Sequence, residues 1–379
     1  MPLTAQLQHG VLGEWCARRF SGTGRVIGQV RAAAGTTDPI RPIGVVDVRH
    51  WSTVGGALAQ RFGFAVQHAP PYGALLGCYR SGLADWAHVQ ELAASFPTHR
   101  SLDARRSRAT QLRPLPGGGW TEMARRPPVS ARAAALGRRP DLVESVVRRL
   151  LHLLEDHTPP GRIAAARGVE ALLARVCVVL STWEDALYGT GVLPGARGLY
   201  ATPGISAEGV LNAVSERHVA EIVAVLARAE SSGVLDGFRE AARRGDDASG
   251  VGITAPVVIE QWAGADALIR APGVGAGMTV LGIRSVASLH DGARIARWLW
   301  HLVACAWLDG DDALRIRSAG LYLARHGVLV TWTLEELTAA LLDGADPAAA
   351  ARAFRALAEP VVARETGLVG GTDVLAGRR

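Results

Sequence analysis

Apolar residues recur at helical spacing over most of the first 240 positions. Leu3, Leu7, Val11, Leu12, Trp15 and Phe20 fall mostly three or four apart, which predicts an amphipathic opening helix over 3–20. Ser52 is placed to cap a helix reaching about Arg61. Pro70 and Pro71 punctuate the chain before another helical stretch, and Leu83 to Phe96 reads as a further helix closed by Pro97. Asp141 stands where it would cap a helix whose Leu142, Val143, Val146, Val147, Leu150, Leu151, Leu153 and Leu154 form one wide apolar face. The Val/Leu run within Gly161 to Leu187 predicts a well-buried helix, and 206–244 predicts two more, broken around Ser231 to Gly233.

From about Gly250 the period shortens. Val251 to Ile259 alternates loosely, and the runs Ala265 to Arg270 and Met278 to Val286 flank Pro272-Gly-Val-Gly-Ala-Gly277, a pattern that predicts a hairpin. His290 to Asp309 reads as a long helix with Ile295, Trp298, Leu299, Leu302, Val303, Cys305 and Ala306 available for packing. Strands over Ile316 to Ala324 and Val328 to Thr333 follow, then helices near Leu334–Leu342 and Pro347–Ala363. The expected class is α+β, with helical N-terminal and middle regions ahead of a C-terminal α/β sandwich. The expected division is a basic, mainly helical region over 1–140, a helical region over 141–248 and an α/β domain over 249–379.

Composition narrows the chemistry. Across 379 residues, 49% hydrophobic and 20% charged side chains suit a chain that buries a core. No apolar run reaches the roughly 18 residues a bilayer span needs, and no signal-peptide pattern opens the chain. Cys16, Cys78, Cys177 and Cys305 lie far apart without a CxxC pair, so buried free thiols are expected. The expected setting is the cytoplasm of a bacterium with GC-biased coding. All 41 cations are arginine. Without lysine, a Walker A loop, a pyridoxal Schiff base and the kinase strand lysine have no residue to work with. Arginine retains bidentate phosphate binding.

The charge is uneven. Residues 1–150 hold 20 arginines against 9 acids, or +11, and 151–379 hold 21 against 26, or −5. The densest basic stretch, 100–139, includes Arg105, Arg106, Arg108, Arg125 and Arg126, interrupted by Leu112-Arg-Pro-Leu-Pro-Gly-Gly-Gly-Trp120. Two readings stand: an arm that neutralises phosphates, with strongly salt-dependent binding, or a solvated linker. Ser21-Gly-Thr-Gly-Arg-Val-Ile-Gly28 has the wrong glycine spacing, and no preceding strand, for a dinucleotide loop. His152, Asp156 and His157 near one helix end lack a partner cluster at metal-ligand spacing.

Asp266 on one hairpin strand, the triplet Gly282-Ile283-Arg284 on the next, and His301 and Cys305 on the following helix occupy a recognisable order. It resembles the core of the PD-(D/E)xK nuclease superfamily, particularly its RecB-like branch, over about 100 residues. The stretch Leu321-Tyr-Leu-Ala-Arg-His-Gly-Val-Leu-Val-Thr-Trp332 adds to the likeness. In that family an Asp and an acid-x-Lys triplet hold a divalent metal and position the attacking water, and a Gln-x-x-x-Tyr pair rides on the helix. Asp266 matches the first acid. At the triplet the acid is glycine and the lysine is arginine, and His301 and Cys305 replace the helix pair. The resemblance therefore implies a nuclease-like domain that has lost cutting. Arginine cannot serve as general base, yet it can bind phosphate.

Three functions follow as expectations. The first is a nucleic-acid-binding protein, DNA favoured, acting in a bacterial defence or DNA-processing complex without a cofactor. Arg270, Arg284 and the arm would make the phosphate contacts, with tryptophans stacking on unpaired bases. The second is an active Mg²⁺-dependent endonuclease using Asp266, with Asp291 or Glu260 as the relocated carboxylate. The third is a scaffold whose apolar helices dock a protein partner. No membrane partner is expected.

Overall fold

The computed structural model describes residues 3–42, 44, 47–66, 68–96, 129, 138–158, 162–188, 204–237, 252–254, 257–259, 262–269, 277–310, 312 and 314–366. The fold is α+β, and the chain forms two compact units: residues 1–39 with 241–379, and residues 40–240. The expected boundary at 140 falls inside the second unit. The first 39 residues group with the C-terminal α/β region, whose apolar surface they cover.

The discontinuous unit opens with α1 (Leu3–His9), α2 (Val11–Arg19) and α3 (Thr23–Ala34). The single helix expected over 3–20 is two, because Gly10 takes an extended conformation between them. The Gly-rich stretch from Ser21 runs into α3, so its glycines lie largely in a helix rather than a phosphate loop. After the long insertion come β1 (Gly252–Thr254), β2 (Val257–Ile259), β3 (Ala263–Gly264), β4 (Ala267–Ile269) and β5 (Met278–Arg284). These are followed by α11 (Gly292–Leu308), β6 (Ile316–Leu323), β7 (Val328–Thr333), α12 (Leu334–Leu342) and α13 (Pro347–Thr366). One sheet has the order β1-β4-β5-β6-β7, and β2 pairs with β3 separately. β1, β4 and β5 form an antiparallel meander, α11 carries the chain over to β6 parallel to β5, and β7 returns antiparallel.

β5 is buried from Met278 to Ile283, as suits a central strand with few polar residues. Leu268, Val280, Ala319, Leu321 and Leu323 on one sheet face share a core with Ile295, Leu299, Leu302 and Val303 of α11. Leu7, Leu12, Val26 and Val30 from the N-terminal helices and Phe354 of α13 join the same core. Trp15 packs edge-on against Phe20, Trp307 and Phe354 at centroid distances of 5.8, 6.1 and 5.4 Å, so aromatic shape complementarity ties both ends of the chain to α11. Asp291 caps α11 by accepting from the Arg294 amide, and Thr333 with Glu336 forms a reciprocal capping box on α12.

The second unit contains α4 (Val48–Val66), α5 (Tyr72–Arg80), α6 (Trp86–Ala94), α7 (Pro140–His157), α8 (Arg167–Tyr188), α9 (Ala207–Asn212) and α10 (Glu216–Ser231). α8 is the buried element that its Val/Leu run predicts, with Val176, Cys177, Val178, Val179 and Leu180 all enclosed. It meets α5 at Gly77, where a Cβ would lie 1.7 Å from the Trp183 carbonyl oxygen. Two expected caps move. Asp47, not Ser52, accepts from the His50 amide near the start of α4, and Asp141 lies inside α7, which begins at Pro140. Proline suits that first position because its missing N–H has no helical partner to lose. Inside this unit Arg61 Nε and Nη2 donate to Glu170 at 2.7 and 2.9 Å, and Glu170 also accepts from the Ala164 amide at 2.7 Å. Among the described residues no helix is long and apolar enough to cross a membrane.

Candidate functional site

Asp266 stands one residue before β4, whose Ala267 pairs with Leu281 of β5. That register brings the carboxylate beside the C-terminal half of β5. Asp266 Oδ2 accepts the Ile283 amide at 2.7 Å and Arg284 Nη1 at 2.6 Å. Arg284 Nη1 also reaches the Ile283 carbonyl at 3.0 Å, so the guanidinium doubles back along its own strand.

Residues two apart on a strand share a face, so Arg284 folds over position 282. A Cβ there would lie 2.8 Å from Arg284 Nη2 and 3.1 Å from its Cζ. Glycine leaves the space that the guanidinium fills. Trp298 of α11 places its ring 5.7 Å from Arg284 Cζ, a cation–π contact in a partly buried setting. His301 follows one turn later. Burial, reinforced by the Arg284 charge and opposed by Asp266, pushes its imidazole down to about 4, so it is neutral at pH 7. His301 Nδ1 and Arg284 Nε are both buried with no hydrogen-bond partner. Cys305 lies a further turn along and donates to the Gly264 carbonyl at 3.4 Å. Burial pushes its thiol up to about 12, which removes its nucleophilic form near neutrality.

The fold thus gathers Asp266, Gly282, Arg284, His301 and Cys305 into one cluster. Arg270, Arg105, Arg106, Arg108, Arg125, Arg126 and Glu260 lie outside the described residues. Asp291, the other proposed carboxylate, is exposed. The Arg294 amide holds it below the usual carboxylate range, a helix-capping role. His152 Nδ1 lies 2.7 Å from Asp156, but among the described residues no three His, Cys, Asp or Glu side chains could hold a metal together.

The donor set of the cluster fits a divalent ion poorly. Among the described residues it offers one carboxylate, already engaged by a guanidinium, and no side chain at Gly282. Of the described tryptophans, Trp15, Trp183, Trp262 and Trp307 are buried and Trp51, Trp86, Trp298, Trp300 and Trp332 are half-buried. Trp51 packs edge-on against His50 and Trp86 against Tyr79, Trp300 donates to Thr23 at 3.3 Å, Trp332 to Gln29 at 3.1 Å, and Trp298 carries Arg284.

Two supporting residues had no sequence signal. Arg325, fully buried after β6, donates Nε to the Ser285 carbonyl and so fixes the backbone just beyond Arg284. Arg31 of α3 donates to the carbonyls of Leu289 at 2.9 Å and His290 at 2.7 Å, holding the approach to α11. Their partners lie 40 and more than 250 positions away, beyond the reach of local spacing. The chain matches no protein-family model, no curated protein and no solved structure.

Proposed function

We propose that this is a nucleic-acid-binding protein, favouring DNA, whose nuclease-like unit no longer cuts and which works in a bacterial defence or DNA-processing complex. The observation that carries the reading is the Asp266–Arg284 pair closed over Gly282. Among the described residues it leaves the meander–helix–strand arrangement with one carboxylate, where hydrolysis would call for at least two around a metal. The strand order β1-β4-β5-β6, with β6 parallel to β5, supports the same descent.

Charge points to where binding resides. Residues 1–39 with 241–379 carry 18 arginines against 17 acids, or +1. Residues 40–240 carry 23 against 18, or +5, and 100–139 alone carry 10 against 2, or +8. Arg284 reaches a phosphate only by giving up Asp266, so in this reading the arm supplies most of the phosphate contacts and Arg284 a specific, slower-formed one.

Mobility-shift and cleavage assays on single- and double-stranded DNA and RNA, with and without Mg²⁺ or Mn²⁺, test this across a salt series. The expected result is retention of nucleic acid at low salt, a loss of at least about 10²-fold in affinity between 50 and 200 mM salt, and no cleavage. Metal-dependent cleavage abolished by Asp266→Ala would establish the active-nuclease reading instead. No retention at low salt would leave the partner-binding scaffold.

A further inference from the structure

β7 is the last strand of its sheet, and its sequence, Val328-Leu-Val-Thr-Trp-Thr333, contains no charge, proline or glycine. Edge strands of proteins that remain monomeric are usually guarded by charge, proline, a bulge, short length, or a covering helix or loop. Here the pairing with β6 is regular through all six residues. Side chains alternate along it: Val328, Val330 and Trp332 are half-buried, while Leu329, Thr331 and Thr333 are exposed, Leu329 at 37%.

The direction of the backbone groups follows from the cap. The Thr333 amide donates to the Glu336 side chain at 2.9 Å rather than to β6. In an antiparallel pair the residues alternate between facing the partner strand and facing away. Thr331 and Leu329 therefore share the direction of Thr333 and aim their N–H and C=O groups outward. Among the described residues, none of these four groups takes part in a hydrogen bond.

We propose that β7 is a homodimerisation edge, pairing antiparallel with β7 of a second copy about a two-fold axis at Val330. The hydrogen-bond complementarity is self-contained. That axis sets Leu329 opposite Thr331 of the other copy, and the amide and carbonyl of each answer those of its counterpart, so all outward groups on both strands are satisfied. Moving the axis to Thr331 would instead call on the Thr333 amide, which the capping box already uses. Val330 meets its own copy on the inner face, and Leu329 meets Thr331 on the outer. No like charges face each other across the seam, and the two sheets become one.

Sedimentation of the full chain at tens of micromolar is expected to give twice the 39.9 kDa chain mass. Leu329→Lys places a charge on the exposed edge, and Thr331→Pro removes an outward N–H without touching the β6 ladder. Each is expected to yield monomer with an unchanged circular dichroism spectrum and a thermal midpoint that no longer rises with protein concentration. Val330→Cys tests the register. Directly opposed residues that are not hydrogen-bonded to each other have Cα atoms about 4.5 Å apart, within disulfide reach. Oxidation should therefore cross-link Val330→Cys efficiently and Thr331→Cys poorly. A monomeric wild type, a dimer that survives both edge variants, or a dimer in which Val330→Cys fails to cross-link overturns the proposal.

Discussion

The two units each bury an arginine–carboxylate pair, and the two pairs are built differently. Arg61–Glu170 is enclosed, with side-chain exposures of 0% and 2%, contacts through two guanidinium nitrogens, and a backbone amide completing the carboxylate. Asp266–Arg284 retains 17% exposure at the arginine and 28% at the aspartate and uses one guanidinium nitrogen. Each pair leaves one guanidinium nitrogen unpaired among the described residues, Nη1 of Arg61 and Nε of Arg284, and the second lies beside a neutral histidine whose Nδ1 is also unpaired. The first arrangement is a staple between α4 and α8. The second is a partly exposed polar cluster in which both the arginine and the neighbouring histidine keep an unpaired nitrogen, the kind of place where a protein retains chemistry rather than stability.

Removing Glu170 should produce the largest effect. Glu170→Ala leaves the Arg61 charge buried without its counter-ion, at a cost of about 3–5 kcal/mol in urea unfolding. Replacing both partners, as Arg61→Met with Glu170→Leu, should recover most of that loss, because two apolar side chains need no solvation. If the double variant is as unstable as the single one, the pair is doing more than compensating itself.

Acid should expose the second cluster. His301 titrates at about 4 when folded, against an ordinary value of 6.5, so between these pH values the unfolded chain binds the extra proton. Stability therefore rises with pH through this window and falls on acidification from 6.5 towards 4. The shift sets a ceiling of about 3 kcal/mol, reduced by the partial exposure of the ring. Unfolding of wild type and His301→Gln compared at pH 7 and pH 4.5 isolates this contribution, and equal pH dependence in the two proteins would remove His301 from it.

Asp266→Asn should cost less, about 1 kcal/mol, since the amide oxygen still accepts one hydrogen bond and water reaches both side chains. The same measurement on Glu170→Gln sharpens the comparison. Equal losses would mean that the Asp266 pair is a staple too.

Much of the architecture was legible because period and burial agree. The broad apolar face of α7 and the Val/Leu run of α8 were both readable, as was the change from helical to alternating texture near Gly250. The helix between β5 and β6 followed from Ile295, Leu299, Leu302 and Val303. What escaped depends on distant partners. Nothing local ties α1–α3 to residues beyond 241, and nothing in Asp141 shows that Pro140 has already opened α7. The cluster was legible as a set of positions, Asp266, Gly282, Arg284, His301 and Cys305, but not as an arrangement. Arg284 read as a phosphate contact, and its capture by Asp266 depends on the β4–β5 register.

Gly282→Ala should have the smallest effect on stability and the sharpest effect on geometry. The added methyl would meet the end of the Arg284 side chain at 2.8 Å, a flexible group that can swing away, so no backbone has to move. Alanine also lowers the entropy of the unfolded chain relative to glycine, which offsets part of the lost contact. The net change should stay within about 0.5 kcal/mol. The Arg284–Trp298 contact should nevertheless be broken, visible as a change in tryptophan emission that Arg284→Met reproduces and that adds nothing in the double variant. Gly77→Ala in the other unit is the counterpart, because there the methyl would strike the Trp183 backbone carbonyl and neither helix can yield without moving the other. If Gly282→Ala proves as destabilising as Gly77→Ala, the guanidinium is held far more rigidly than one carboxylate contact can account for. Its unpaired Nε would then have a partner that water or a ligand supplies.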